Sequence, residues 1–442
     1  MKRKVRLILP LSLLILLGAP AALAQDTTAD TGYSPYSLFG LGQLSPQGTA
    51  YNSTMGGIGL ADRNVRFMNI LNPAAVTARE QKSFMMDFGV VSNNVIYTAD
   101  ASTSGTPGAT GTLRSANNTF NMNHIVMSFP MWKNTAFKAG IMPYSSVGYS
   151  LRSYEQDENL LATLGDIQYF RMGQGGLYKS FIGAGITLWD CLSLGVDGQY
   201  YFGSISRYSY AHFSSSSVYR SINTGWDDYL SGINAKAGLQ FEQKLGKKTV
   251  LTVGATYQLG TTLSGEERRF AYGVASATDT ITDVTTPLAG YKMPAEIGAG
   301  FTLRGSDRWM VGFDYTRQDW RNTNFAATPG VNFAPACQQA FRLGAELTPN
   351  RYDIRYFFRR LTYHGGLYYE QSYLSLNGHQ VTDRGITLGV SIPVSRYYNA
   401  ISLGFTAGQR GTVDDSLIRE TYFKFNIAFS LHDIWFLKQL YE

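Results

Sequence analysis

The sequence is short of the residues that build catalytic and metal centres. It has two cysteines and five histidines in 442 residues. The histidines, His124, His212, His364, His379 and His432, are dispersed, with no HExxH pair and no Cys–His ligand spacing. No Gly-x-Ser-x-Gly elbow precedes a helical stretch. Gly183-Ala184-Gly185 and Gly298-Ala299-Gly300 fall inside alternating segments, so neither opens the helix that a phosphate cradle needs. An enzyme is not expected, nor is a metal or cofactor. Charged residues make up only 16%, and helix-forming runs of Ala, Leu, Glu and Lys are missing. No run of 18 apolar residues occurs, so a transmembrane helix is not expected either.

What is present points to export. Lys2, Arg3, Lys4 and Arg6 precede an apolar run at 7–17 and then Ala22-Leu23-Ala24. This basic head, short apolar core and small-residue site form the pattern of a secretory signal peptide, residues 1–24. The formal charge of +6, less the four in that leader, leaves +2, so the basic pI argues for no nucleic-acid partner. Glycine, tyrosine and phenylalanine are abundant at 46, 29 and 25 residues.

From Ser83 onward apolar and polar residues alternate. Leu251, Val253, Ala255, Tyr257 and Leu259 interleave with Thr252, Gly254, Thr256 and Gln258. Phe423, Phe425, Ile427, Phe429 and Leu431 interleave with Lys424, Asn426 and Ser430. A soluble sandwich also alternates, but these segments are long and none is apolar throughout. Strands that span hydrocarbon need roughly 9–11 residues and must close into a barrel, because an unpaired backbone group there costs several kcal/mol. The expectation is an all-β, antiparallel transmembrane barrel of about fourteen strands over 83–431, with a short tail at 432–442. Even-numbered connections are tight, as at Trp189-Asp190 and Gly246-Lys247, and odd-numbered ones are longer and polar. The stretch 273–290 reads as one of the long loops. The connection 350–361 is long where a short turn is due, as a strand extension or a small helix. Cys191, at a short turn, and Cys337, near the opposite rim, are too far apart to pair and are expected free.

Residues 25–82 do not alternate. The first eight, 25–32, are polar and expected to lack order. The stretch 55–77, MGGIGLADRNVRFMNILNPAAVT, is glycine-rich, mixed in charge and closes on Asn72-Pro73-Ala74. It is expected to plug the lumen. Asp62, Arg63, Asn64 and Arg66 there could meet the charges on the polar strand face, Lys236, Glu296, Asp314, Arg342, Glu346 and Lys424.

An N-terminal segment ending on Asn72, Pro73 and Ala74, preceded by Gly56, Gly57 and Gly59 and followed by fourteen strands, resembles the FadL/TodX-type outer-membrane transporters of hydrophobic compounds. The resemblance implies a lumenal hatch set by Asn72–Ala74; on the residues' own chemistry, Gly56, Gly57 and Gly59 are expected to take φ > 0 and Asp62, Arg63, Asn64 and Arg66 to tether the segment to the wall. The resemblance also implies a lateral exit where the third strand kinks. Pro143 lies in the middle of that strand, where a missing N–H breaks a ladder. The implied partners are the Gram-negative outer membrane and a small hydrophobic or amphiphilic ligand. The loops after strands five and seven, 214–217 and 273–290, are too polar for the family's apolar capture groove. The alternative is a permanently shut barrel that serves as a scaffold for protein partners in a secretion or surface-attachment assembly.

Overall fold

The computed structural model describes residues 33–79, 83–100, 111–132, 134–155, 157–213, 220–274, 278–306, 308–325, 332–394, 399–414 and 417–434. The leader at 1–24 and the stretch 25–32 lie outside them.

Alternation produces a closed wall. After the two-residue β1 (Gln43–Leu44), the chain runs through β2 (Ser83–Asp100), β3 (Thr112–Trp132), β4 (Thr135–Tyr154), β5 (Ile167–Leu188), β6 (Leu192–Phe213) and β7 (Ser221–Lys244). β8 (Thr249–Gln258) with β9 (Thr261–Val274), and β10 (Thr278–Met293) with β11 (Glu296–Gly305), are two long strands with short breaks. Then come β12 (Trp309–Asp319), β13 (Phe333–Pro335) with β14 (Cys337–Leu347), β15 (Thr362–Leu376), β16 (His379–Pro393), β17 (Ala400–Arg410) and β18 (Arg419–Ile434). All neighbours are antiparallel, and β18 pairs with β2 from Arg419 opposite Thr98 to Ile434 opposite Ser83. The ring closes on fourteen strands.

The wall is inverted relative to a soluble sandwich. Along β8, Thr252, Gly254, Thr256 and Gln258 are buried while Val253, Ala255 and Tyr257 are exposed. Along β7, Asn234, Gly238 and Gln240 face in, and Ile233, Leu239 and Phe241 face out. Large side chains outside and polar ones inside suit lipid around the ring and a polar interior. The fold is a transmembrane β-barrel.

Two stretches differ from the sequence reading. The stretch 273–290 is no loop: β10 pairs with β9 from Thr278 opposite Val274 to Met293 opposite Thr261. Both faces of this hairpin reach water, with Ile281 and Val284 exposed among threonines and aspartates, so no apolar–polar contrast marks it. The connection at 350–361 takes the second of its two expected forms, a short 3-10 helix at Phe357–Arg360. The last strand reaches Ile434, three residues into the stretch read as tail. Cys191 and Cys337 are free.

Candidate functional site: the filled barrel

Residues 50–77 pack against the polar faces of strands from around the ring. A helical turn at Ala50–Ser53 is held by a capping box between Thr49 and Asn52. The 3-10 turn Pro73–Thr77 follows Asn72, whose side chain accepts the Ala74 N–H at 3.0 Å and donates to the carbonyls of Leu60 at 2.7 Å and Leu239 at 3.1 Å. Proline opens that turn, where its missing N–H costs nothing. Asn72 thus fixes its own turn, a second strand of the segment and the β7 wall together.

The charged residues of this stretch are paired rather than solvated. Arg304 on β11 reaches Asp62 at 2.8 Å and Glu346 at 3.5 Å. Glu346 also accepts from Tyr51 at 2.6 Å and from Asn64 at 3.1 Å. Arg63 lies 3.4 Å from Glu242 and donates to Ser193 at 2.7 Å and Gln240 at 3.1 Å. Asp314 on β12 accepts the backbone N–H groups of Gly59 at 2.6 Å and Leu60 at 2.8 Å. Arg66 reaches the wall through its backbone, with its carbonyl 2.5 Å from the His432 ring. Burial pushes the Asp62 carboxyl up against the pull of Arg304, and holds the Arg63 guanidinium down against Glu242. Burial, with Asp62 and Glu346 nearby, raises the Tyr51 hydroxyl.

Glycines on the wall let the segment approach. A Cβ at Gly195 would collide with Pro73, at Gly238 with Asn72, at Gly254 with the Leu60 carbonyl and at Gly366 with Gly56. Within the segment, Gly56 and Gly57 take φ of 68° and 84°. Gly59 does not share that conformation, contrary to the sequence reading. It is required by proximity, since a Cβ there would lie 2.7 Å from both Asn52 and Leu71.

Residues 33–44, part of the 25–82 segment read as leading into the lumenal hatch, fill the opposite half of the barrel by apolar packing that sequence reasoning did not foresee. Tyr36, Phe39 and Leu41 enter one apolar cluster with Tyr149, Leu177, Ile205, Leu230, Leu263, Trp320 and Tyr373 from the wall. Tyr373 donates to the Gly42 carbonyl at 2.5 Å and Arg207 to the Gly40 carbonyl at 2.6 Å.

Pro143 lies where the wall comes apart. β3 and β4 pair only between Ile125 opposite Ile141 and Trp132 opposite Thr135. Past Ile141, β4 keeps β5 on one side and on the other takes the chain's own N-terminus. Gln43 pairs with Ser146 and Leu44 with Ser145. The Ser45 N–H donates to the Tyr144 carbonyl at 2.9 Å, and the Ser34 N–H to the Gly148 carbonyl at 2.7 Å. Among the described residues, Thr112–His124 of β3 has ladder partners on β2 alone.

Between the two halves of the segment lies a cavity of about 560 Å³. Next to the seam, Met122 on β3 and Met142, Tyr178, Phe181 and Phe202 on β4 to β6 give it apolar surface interspersed with Asn121, Asn123, Lys179 and Asp197. Arg342, Glu370, Asp383, Arg410 and Lys424 give it a charged far side. The described residues contain no group of His, Cys, Asp and Glu able to hold a metal ion.

Solved structures share this architecture. The toluene transporter TbuX of Ralstonia pickettii is similar at 17% identity and TM-score 0.56, covering 88% of this chain and 98% of its own. The toluene transporter TodX of P. putida is similar at 16% identity and TM-score 0.56, covering 87% and 98%. A Pseudomonas aeruginosa FadL homologue is similar at 10% identity and TM-score 0.52, covering 89% and 100%. No curated protein matches the sequence. At these identities the likeness is one of fold, and the fold is the FadL type. In sequence, residues 2–442 match the family model described as BamG, and the chain belongs to the BamG family.

Proposed function

We propose that this protein sits in the outer membrane of a Gram-negative bacterium and passes small amphiphilic molecules between its cavity and the bilayer through the β3–β4 seam. The observation that carries the reading is the seam itself. Wall pairing stops at Ile125 and Ile141, both sides line the cavity, and among the described residues the edge of β4 is bonded there by β1, Ser34 and Ser45 rather than by β3. In this reading residues 50–77 are the hatch, Asn72, Pro73 and Ala74 hold its closing turn, and Pro143 makes the kink. The structural neighbours titled as toluene transporters lend support at the level of fold. The mixed lining favours an amphiphile over a plain hydrocarbon.

A disulfide lock tests it. Gln43 and Ser146 are directly opposed, so cysteines there lie within bridging range. With Cys191 and Cys337 replaced by serine, oxidised Gln43→Cys/Ser146→Cys should lower decanoate uptake into proteoliposomes to the rate of protein-free vesicles, and reduction should restore the faster uptake. Uptake that ignores the bridge would contradict lateral passage.

The second reading, a shut scaffold for protein partners, has its own observation. Asp62, Arg63 and Asn64 are each bound to a charged wall residue, Arg304, Glu242 and Glu346, which opposes movement of the segment. Uptake no faster than in protein-free vesicles, with intact association of large partners on purification, would favour it.

A further inference from the structure

We infer that the 350–361 connection is a foot that inserts into the phospholipid leaflet at the short-turn end of the barrel, its arginines holding anionic headgroups. This rests on the membrane reading above. The sequence RYDIRYFFRR, 351–360, carries four arginines against one aspartate. Its large apolar side chains face outward: Ile354 is 100% exposed, Phe358 72% and Tyr352 78%. Such a cluster on a short connection is costly in water.

The foot is ordered by its own bonds. Asp353 accepts the N–H groups of Arg355 at 2.8 Å and Tyr356 at 2.7 Å, and Asn350 N–H donates to the Arg359 carbonyl at 2.8 Å. Arg359 and Arg355 lie over the Tyr356 ring at 4.8 and 5.6 Å, and Arg360 over Phe357 at 5.2 Å. Guanidinium groups stacked on rings keep cations and apolar surface at one level, as an interface requires.

Its position is set by Tyr363. This residue points outward on β15, beside inward, buried His364, and donates to the Phe358 carbonyl at 3.0 Å. Tyr363 is opposite Leu347, and Leu347 opposite Trp309, so three outward residues form a row along the rim. Trp132 and Trp189 lie at other connections on the same end and are also exposed. The foot therefore joins the level where aromatic side chains meet headgroups, and its net charge of +3 complements phosphate.

Spin labels test this in full-length protein with Cys191→Ser and Cys337→Ser, reconstituted in phosphatidylethanolamine–phosphatidylglycerol vesicles. Labels are placed singly by Ile354→Cys, Phe358→Cys, Leu388→Cys on the outward face of β16, and Lys247→Cys in another short turn. Labels at 354 and 358 should collide more with oxygen than with a nickel chelate, as at 388, and 247 should show the reverse. The triple variant Arg355→Gln/Arg359→Gln/Arg360→Gln should move 354 and 358 toward the behaviour of 247. Water-like behaviour of 354 and 358 beside a lipid-like 388 would overturn the foot alone. Exclusion of both colliders, as beneath a second protein copy, would overturn it too. A water-like 388 would instead overturn the membrane reading.

Discussion

Residues 50–77 and residues 33–44 occupy one barrel with opposite chemistry. The first stretch adds to its apolar contacts, around Ile58 and Met68, a network of hydrogen bonds and ion pairs to a polar wall, whereas the second is held mainly by aromatic and aliphatic packing. The difference shows that a barrel interior need not be polar throughout. Where water is excluded by a segment of the chain, the inner face can be either polar with its charges paired to that segment or apolar and closely packed.

The largest effect expected on the polar half comes from Arg304→Ala. It leaves Glu346, which also holds Tyr51 and Asn64, buried without its cation, a loss of about 3–5 kcal/mol. Urea unfolding of the refolded protein in micelles measures it, and limited proteolysis should cut first within 50–77. On the apolar half, Trp320→Ala removes a fully buried ring, with an expected loss of ~3–5 kcal/mol. Here cleavage should begin within 33–44. If both variants are cut in the same half, the two halves are one unit and the comparison fails.

Gly254→Ala sharpens the polar side. Its methyl group meets the Leu60 backbone, an overpacking cost of about 1–3 kcal/mol, while outward Ala255→Gly should not disturb residues 50–77. The smallest effect is expected from Asp62→Asn. Burial has already raised the carboxyl, so its ionised form is the disfavoured one in the folded chain. The stability it contributes is present below its unfolded pKa and is lost as pH rises through the folded value. The asparagine variant should therefore differ from the parent by under ~1 kcal/mol at neutral pH. That difference should close as pH falls through the raised pKa, as pH-dependent urea midpoints will show.

Sequence alone made the wall legible where one face meets lipid and the other a polar interior, as along β8 and β7. It failed at β10, where water on both faces removes the contrast. In the filling, Asp62, Arg63 and Asn64 stood out because polar and charged groups in a non-alternating stretch need partners, and Asp314 and Glu346 because charges on the inward strand face need them too. Arg304 gave no such sign, being near a turn where arginine is ordinary. The apolar half was hidden, since Leu177, Ile205, Leu230 and Leu263 face inward and read as lipid-facing under simple alternation. The wall glycines had a signal that was available but unread: Gly195, Gly238, Gly254 and Gly366 all fall on inward positions, where close approach of a backbone is the reason for having no side chain.

The central claim is that residues 33–79 close the barrel from within. Planar-bilayer conductance of the full chain and of a chain lacking 33–79 tests it most directly. The account predicts a silent full-length protein and steady ion conductance after deletion; equal conductance from the two, with the truncated barrel shown to be folded by its heat-modifiable migration, would contradict it.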